Sequence, residues 1–269
     1  MSPIIPSAAP AEATLKEHPH FGPIGPDLHA FLARFPACDS PPARTLVLAS
    51  EERAGSEYLC QMLGATGVLG RPSEYLNTYW MRRFLPDWPE AVPAQIALAW
   101  RTGTTANLCF AIKLHWPQLV RLASGMDPAQ ALPCPIFVRL MRRDMLGQAI
   151  SLYRARQSGQ YHAGFPAERP VEYDGTGISA RLVELARHRA TWQAYLAANA
   201  VVPLEIAYED LARDPWPALE AIAWAMEQTI TRAVIRPAKS LAVQRDATNE
   251  AWRARFLAEE SGLGRLPNV

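Results

Sequence analysis

The sequence predicts an α/β fold in which a central, mostly parallel β-sheet is flanked by helices. Three observations carry this expectation. Four short runs, TLVLA (45–49), FAIKL (110–114), IFVRLM (136–141) and PLEIAY (203–208), are largely apolar without strict alternation, the pattern of strands covered on both faces. The segments between them are long enough for crossovers, and several have helical spacing. The chain has 269 residues, 49% of them hydrophobic, which is enough for one large core.

In chain order, the first 42 residues hold nine of the 24 prolines. Proline removes donors and interrupts regular structure, so residues 1–42 read as a Pro-rich, partly disordered extension. Within it, residues 1–20 are expected as a loose tail and DLHAFLARF (27–35) as a short docked helix. Residues 43–269 read as a single domain. Its first strand, 45–49, ends at Ser50, and helical spacing resumes at Ser56 through Leu59, Met62 and Leu63. The strands at 110–114 and 136–141 follow. DMLGQAISLYRARQ (144–157) is helical, with Asp144 as N-cap. An amphipathic helix covers 178–199, a strand covers 203–208, and a further helix begins near Pro217, a residue tolerated in a first turn.

Composition excludes several classes. A net charge of +1 gives no global pull toward nucleic acid or membrane surfaces. Cys38, Cys60, Cys109 and Cys134 lack the spacing of a zinc site or a CxxC pair and read as free thiols. No apolar stretch reaches the roughly 18–20 residues a bilayer span needs. The N-terminus lacks a basic segment ahead of an apolar core, so the expected compartment is the cytoplasm.

The functional signal lies where the first strand stops. Arg53, Ala54, Gly55 and Ser56 form a strand–turn–helix junction, where backbone amides, a guanidinium and a hydroxyl can gather around an anion. The GxxxxGK[ST] pattern is absent, which argues against a P-loop kinase. On spacing alone, a tight turn and a phosphate cradle remain equally open.

The surrounding residues resemble the Stf0 family of bacterial sulfotransferases. Arg53-Ala54-Gly55-Ser56 is similar to that family's R-S-G-S-T loop. It is followed in order by Ala65-Thr66-Gly67-Val68, by Gly70-Arg71-Pro72-Ser73-Glu74-Tyr75 for G-x-P-x-E-aromatic, and by FAIKLHW (110–116). Next come FVRLMRRDMLGQAISLYRA (137–155), Trp192, IAYEDL (206–211) and QRDATNEAWRARF (244–256). The series covers residues 44–260.

The resemblance implies the P-loop-like sulfotransferase fold and transfer of a sulfuryl group from 3′-phosphoadenosine 5′-phosphosulfate (PAPS). The acceptor would be a hydroxyl of a carbohydrate or other small metabolite, such as a sugar or glycolipid. No metal, nucleic acid or membrane span is implied, and such enzymes are often homodimers. Arg53, Ala54, Gly55 and Ser56 would hold the 5′ end of the donor. Arg142 and Ser151 would hold the 3′-phosphate, with Arg143 as the substitute if the register slips. The resemblance makes Glu74 the first candidate for general base. His115 is the second, because Lys113-Leu114-His115-Trp116-Pro117 also resembles the K-x-H-x-P segment of animal and plant cytosolic sulfotransferases. Lys113 and His115, two apart in a strand, face one side together. Gln244, Arg245 and Arg255 are expected to close over the nucleotide.

His162, His188, Arg187 and Arg189 read as a solvated face. Arg71, where the trehalose-sulfating members carry an acid, is expected to meet the acceptor. Glu57, one extra residue at Glu51–Glu52, and Gly147 depart from the family pattern. They define the alternative reading, a catalytically impaired sulfotransferase-like protein that binds a nucleotide or a partner.

Overall fold

The computed structural model describes residues 15–37, 40–162, 165–232 and 247–259. The element order is β1(Lys16–His18), β2(Gly22–Ile24), α1(Leu28–Leu32), β3(Arg44–Ser50), α2(Ser56–Ala65), α3(Thr78–Arg82), α4(Val92–Gly103), β4(Cys109–Leu114), α5(Trp116–Gly125), α6(Pro128–Ala131), β5(Pro135–Met141), α7(Met145–Ser158), α8(Gly175–Ala198), β6(Leu204–Ala207), α9(Tyr208–Arg213), α10(Trp216–Ala225) and α11(Ala247–Ala258).

The main sheet is parallel throughout, in the order β4-β3-β5-β6. Its first strand in sequence is interior, with β4 on one side and β5 on the other. The chain therefore runs from β3 to β4 on one side and then crosses to β5 on the other, and the crevice beyond the carboxyl end of β3 is where such sheets bind ligands. Every residue of β3 from Thr45 to Ser50 is buried. Alternation splits them between two cores. Val47 and Ala49 join Ile112, Leu114, Leu119 and Trp192 on one face, whereas Leu46 and Leu48 join Leu59, Leu63, Leu140 and Ile222 on the other. The result is a sheet between two helical layers, as the unbroken apolar strands require.

The four expected strands form within one or two residues of their predicted ends, and Asp144 caps α7 by accepting from the Gly147 amide at 3.0 Å. The N-terminal expectation needs one correction. Residues 16–20 are not a loose tail: Lys16–His18 pairs antiparallel with Gly22–Ile24. His18, 1% exposed, packs edge-on against Phe84 and beside Phe21 and Trp80, so aromatic burial fixes this turn where local propensity did not predict it. Arg34 donates to the Phe21 carbonyl at 2.6 Å and to that of Pro23 at 3.1 Å, tying α1's end to the strand pair. Residues 1–14 lie outside the described ones, as does Cys38. Cys60, Cys109 and Cys134 are free thiols. Among the described residues, no helix is long and apolar enough to cross a membrane.

Candidate functional site

The carboxyl ends of all four parallel strands open on one cleft of about 1420 Å³. β3 delivers the Glu51–Ser56 loop, β4 delivers Lys113 and His115, β5 delivers Arg142, and β6 delivers Tyr208. At one end of the cleft, Arg53 stands in left-handed conformation (φ 62) and Gly55 at φ 85, which turns the chain abruptly into α2. Only glycine fits at position 55: a Cβ there would lie 2.2 Å from Cδ2 of Tyr208. Ala54 and Ser56 are buried. The extra length before Arg53 is accommodated inward. Glu51 is buried and pairs with Arg139 at 2.6 Å, and Arg139 also donates to the Ala49 carbonyl at 2.9 Å. The Glu52 carbonyl accepts from Gln148 at 2.7 Å.

Arg53 reaches across to α7. Its Nε donates to Ser151 Oγ at 2.9 Å, and it also donates to the Tyr161 carbonyl. Burial first, and Arg142 second, push its pKa down to about 10, so it stays charged at neutral pH. The Arg142 guanidinium lies over the Tyr208 ring at 5.3 Å, and its Nε is buried with no protein partner. That orphaned donor, beside a serine hydroxyl and a second guanidinium, fits a phosphate oxygen. Arg143 is no substitute for Arg142: it is exposed, turns outward and pairs with Asp210, leaving Arg142 as the arginine of this segment on the cleft. Gly147 has a steric role. A Cβ there would meet Asp144 Oδ2 at 2.1 Å and Arg253 at 2.7 Å, and Arg253 from α11 binds Asp144 Oδ1 at 2.5 Å.

At the other end, Lys113 Nζ lies 2.7 Å from Glu74 Oε1, and His115 Nε2 lies 3.6 Å from the same oxygen. The i, i+2 spacing thus brings both cations to one carboxylate. Glu74 Oε2 accepts from Asn77 at 2.8 Å and from Gln118 at 2.9 Å. Burial alone would raise the Glu74 carboxyl. Lys113, His115 and Asn77 outweigh it and hold the group well below the usual carboxylate range. Burial likewise opposes charge on Lys113 and His115, yet Glu74 raises both above their ordinary values. His115 Nδ1 donates to the Ser50 carbonyl at 2.9 Å, since a carbonyl can only accept; this directs Nε2 at Glu74.

Four expectations change here. Glu57 does not point into the Arg53–Ser151 region. Its Oε1 lies 3.2 Å from His20 Nε2, and its Oε2 lies 3.9 Å from Lys113 Nζ and 3.7 Å from His162 Nδ1. His162 is not on a solvated face: it stacks on Trp80 with ring centroids 4.1 Å apart and lines the cleft, and burial lowers its pKa to about 4. Arg71 faces away from the cleft and donates to the carbonyls of Thr104 at 2.7 Å and Thr102 at 3.4 Å at the end of α4, so it is structural. Arg255 pairs with Glu259 and lies over Tyr173, away from the cleft; Asn249 of the same helix is the residue lining it. Gln244 and Arg245 lie outside the described residues. Sequence reasoning missed His20, Gln118, Tyr161 and Tyr208. Only Tyr208, inside the quoted IAYEDL, stood in a segment that carried a signal. Among the described residues no cluster could hold a metal ion.

The model of the family described as Stf0 sulphotransferase matches residues 45–259. Trehalose 2-sulfotransferase of Mycobacterium tuberculosis (strain ATCC 35801 / TMC 107 / Erdman) is 28% identical over 262 residues, covering 81% of this chain and 96% of its own. That of Mycolicibacterium smegmatis is 28% identical over 269 residues, covering 82% and 98%. A solved structure, the sulfotransferase domain of the Synechococcus PCC 7002 olefin synthase, is 16% identical with a TM-score of 0.45, covering 87% of this chain and 93% of that one.

Proposed function

Since the chain belongs to the Stf0 sulphotransferase family, we propose that it moves the sulfuryl group of PAPS to a hydroxyl of a carbohydrate. One observation carries the donor assignment: the 2.9 Å bond from Arg53 Nε to Ser151 Oγ, which sets the β3 loop directly beside α7. Arg53, Ala54, Gly55 and Ser56 would receive the 5′-phosphosulfate, with the amides at the start of α2 directed at it. Arg142 and Ser151 would receive the 3′-phosphate.

The chemistry then falls to Lys113 and Glu74. The acceptor oxygen forms a bond to sulfur as the bond from sulfur to the 5′-phosphate oxygen breaks. The phosphate oxygen leaves with the electron pair, and the hydroxyl proton goes to the base. Lys113 supplies positive charge to the sulfuryl or bridging oxygen, where negative charge grows. Glu74 is ionised and accepts the proton. As Lys113 turns toward the donor, Glu74 loses one of the groups that depress its pKa, so its basicity rises when it is needed. His115, held through Ser50, is the second candidate base.

The impaired-protein reading rests on Glu57 and on the lengthened loop before Arg53. With Glu57 turned toward His20 and away from Arg53 and Ser151, that reading loses one of its two supports. The test is transfer of radiolabelled sulfur from PAPS to trehalose and to a set of other sugars, with Glu74→Gln as control. Label in a sugar product, lost with Glu74→Gln, is the expected result. PAPS binding without any sugar product would favour the binding-protein reading.

A further inference from the structure

Among the described residues, Glu57 is a second carboxylate within salt-bridge range of Lys113, besides Glu74. It stands in the first turn of α2, one residue after the loop assigned to the donor. An ionised group there would repel an incoming sulfuryl group and compete for Lys113. The nearest of the groups that hold Glu57 comes from outside the family-matched residues 45–259. His20, in the turn between β1 and β2, has a side chain only 5% exposed and sits 3.2 Å from Glu57 Oε1. The same oxygen accepts from Gln61 at 3.3 Å, while Oε2 faces His162 at 3.7 Å.

The turn that carries His20 is firmly placed. His18 is buried among aromatic rings and its Nδ1 accepts from the His20 amide at 3.1 Å, while Arg34 ties down the carbonyls of Phe21 and Pro23. The carboxylate is thus held by an imidazole that cannot drift.

We propose that the N-terminal strand pair is a wall of the transfer site and that His20 is a positioning residue, anchoring Glu57 Oε1 so that this carboxylate comes no nearer to Lys113 than 3.9 Å and does not displace the donor sulfuryl group from it. The proposal rests on the donor reading above. It predicts that losing His20 harms binding of the sulfated donor specifically, and that removing the charge on Glu57 relieves the harm.

The experiment is calorimetric titration of the full chain with PAPS and with 3′-phosphoadenosine 5′-phosphate, which lacks the sulfuryl group, for wild type, His20→Gln, Glu57→Gln and the double variant. His20→Gln is expected to weaken PAPS on the order of tenfold, the scale of one lost charge-assisted hydrogen bond. The desulfated nucleotide should stay within about twofold, which also reports that the fold is intact. The double variant is expected to regain the PAPS affinity of Glu57→Gln, a non-additivity that a merely structural role would not give. Equal loss of both nucleotides, no loss, or a double variant as weak as His20→Gln would each overturn the inference alone. Failure of the wild type to bind either nucleotide would remove the donor reading and this inference with it.

Discussion

The two ends of the cleft handle charge differently. At the end proposed for the donor, Arg53 donates to neutral oxygens, the Ser151 hydroxyl and the Tyr161 carbonyl, and Arg142, 3.4 Å from Asp144 Oδ2, lies over an aromatic ring with its buried Nε unused. At the transfer end each cation meets a carboxylate: Lys113 lies between Glu74 and Glu57, and His115 faces Glu74. The first arrangement suits an anion that must be held with its charge unchanged. The second suits a step in which charge and a proton move, because a balanced cluster can release one partner without stranding a buried ion. Binding and turnover should therefore separate by mutation along the cleft.

The largest effect is expected from Glu74→Gln, which should lower kcat for sulfuryl transfer by about 10²–10⁴ while leaving nucleotide affinity near wild type. A smaller loss than that of His115→Asn, measured in parallel by initial rates, would reassign the base. Next comes Arg142→Ala, expected to weaken the 3′-phosphorylated nucleotide by about 10–150-fold, the scale of a charge-assisted phosphate contact. Its kcat at saturating donor should hold; a fall in kcat would blur the distinction between the two ends.

Gly55→Ala tests the backbone that joins them. Alanine at φ 85 facing the Tyr208 ring should destabilise the fold by about 1–3 kcal/mol, read as a drop of roughly 2–4 °C in Tm per kcal/mol. The smallest effect is a pH slope. His115 is raised by Glu74 in the folded state, so its contribution is complete below its unfolded pKa of about 6.5 and fades as pH rises through the higher folded value. Glu74, being lowered, contributes above its unfolded pKa of about 4.3 and loses that only as pH falls below it. Denaturant midpoints should thus decline above pH 6.5 in wild type and less so in His115→Asn.

The donor end was the more legible in sequence. Arg53, Gly55, Ser56 and Arg142 fall at strand-to-helix junctions, where apolar runs of Val, Leu and Ile end and the period changes from two to 3.6, and Ser151 lies on the helix that follows Arg142. Lys113 and His115 were legible for the same reason, since strand alternation fixes their common face. The partners of Glu57 were not. His20 follows a proline and lies beside the ring of His18, which packs against Trp80 and Phe84, while His162 sits in a loop and stacks on Trp80, so both depend on packing between segments far apart in the chain. Arg71 shows the opposite failure. A charged residue beside a conspicuous motif suggested recognition, but it satisfies the carbonyls of Thr102 and Thr104 at a helix end, a need visible only once α4 is placed.

The account stands on Arg142 and Ser151 as the proposed 3′-phosphate site, joined to the β3 loop through Arg53. Calorimetric titration with 3′-phosphoadenosine 5′-phosphate against ADP, which lacks the 3′-phosphate, tests it most directly. The bisphosphate should bind at least about tenfold tighter than ADP, and the preference should collapse in the Arg142→Ala/Ser151→Ala double variant. Equal affinity for the two nucleotides, or a preference that survives the double substitution, would contradict it.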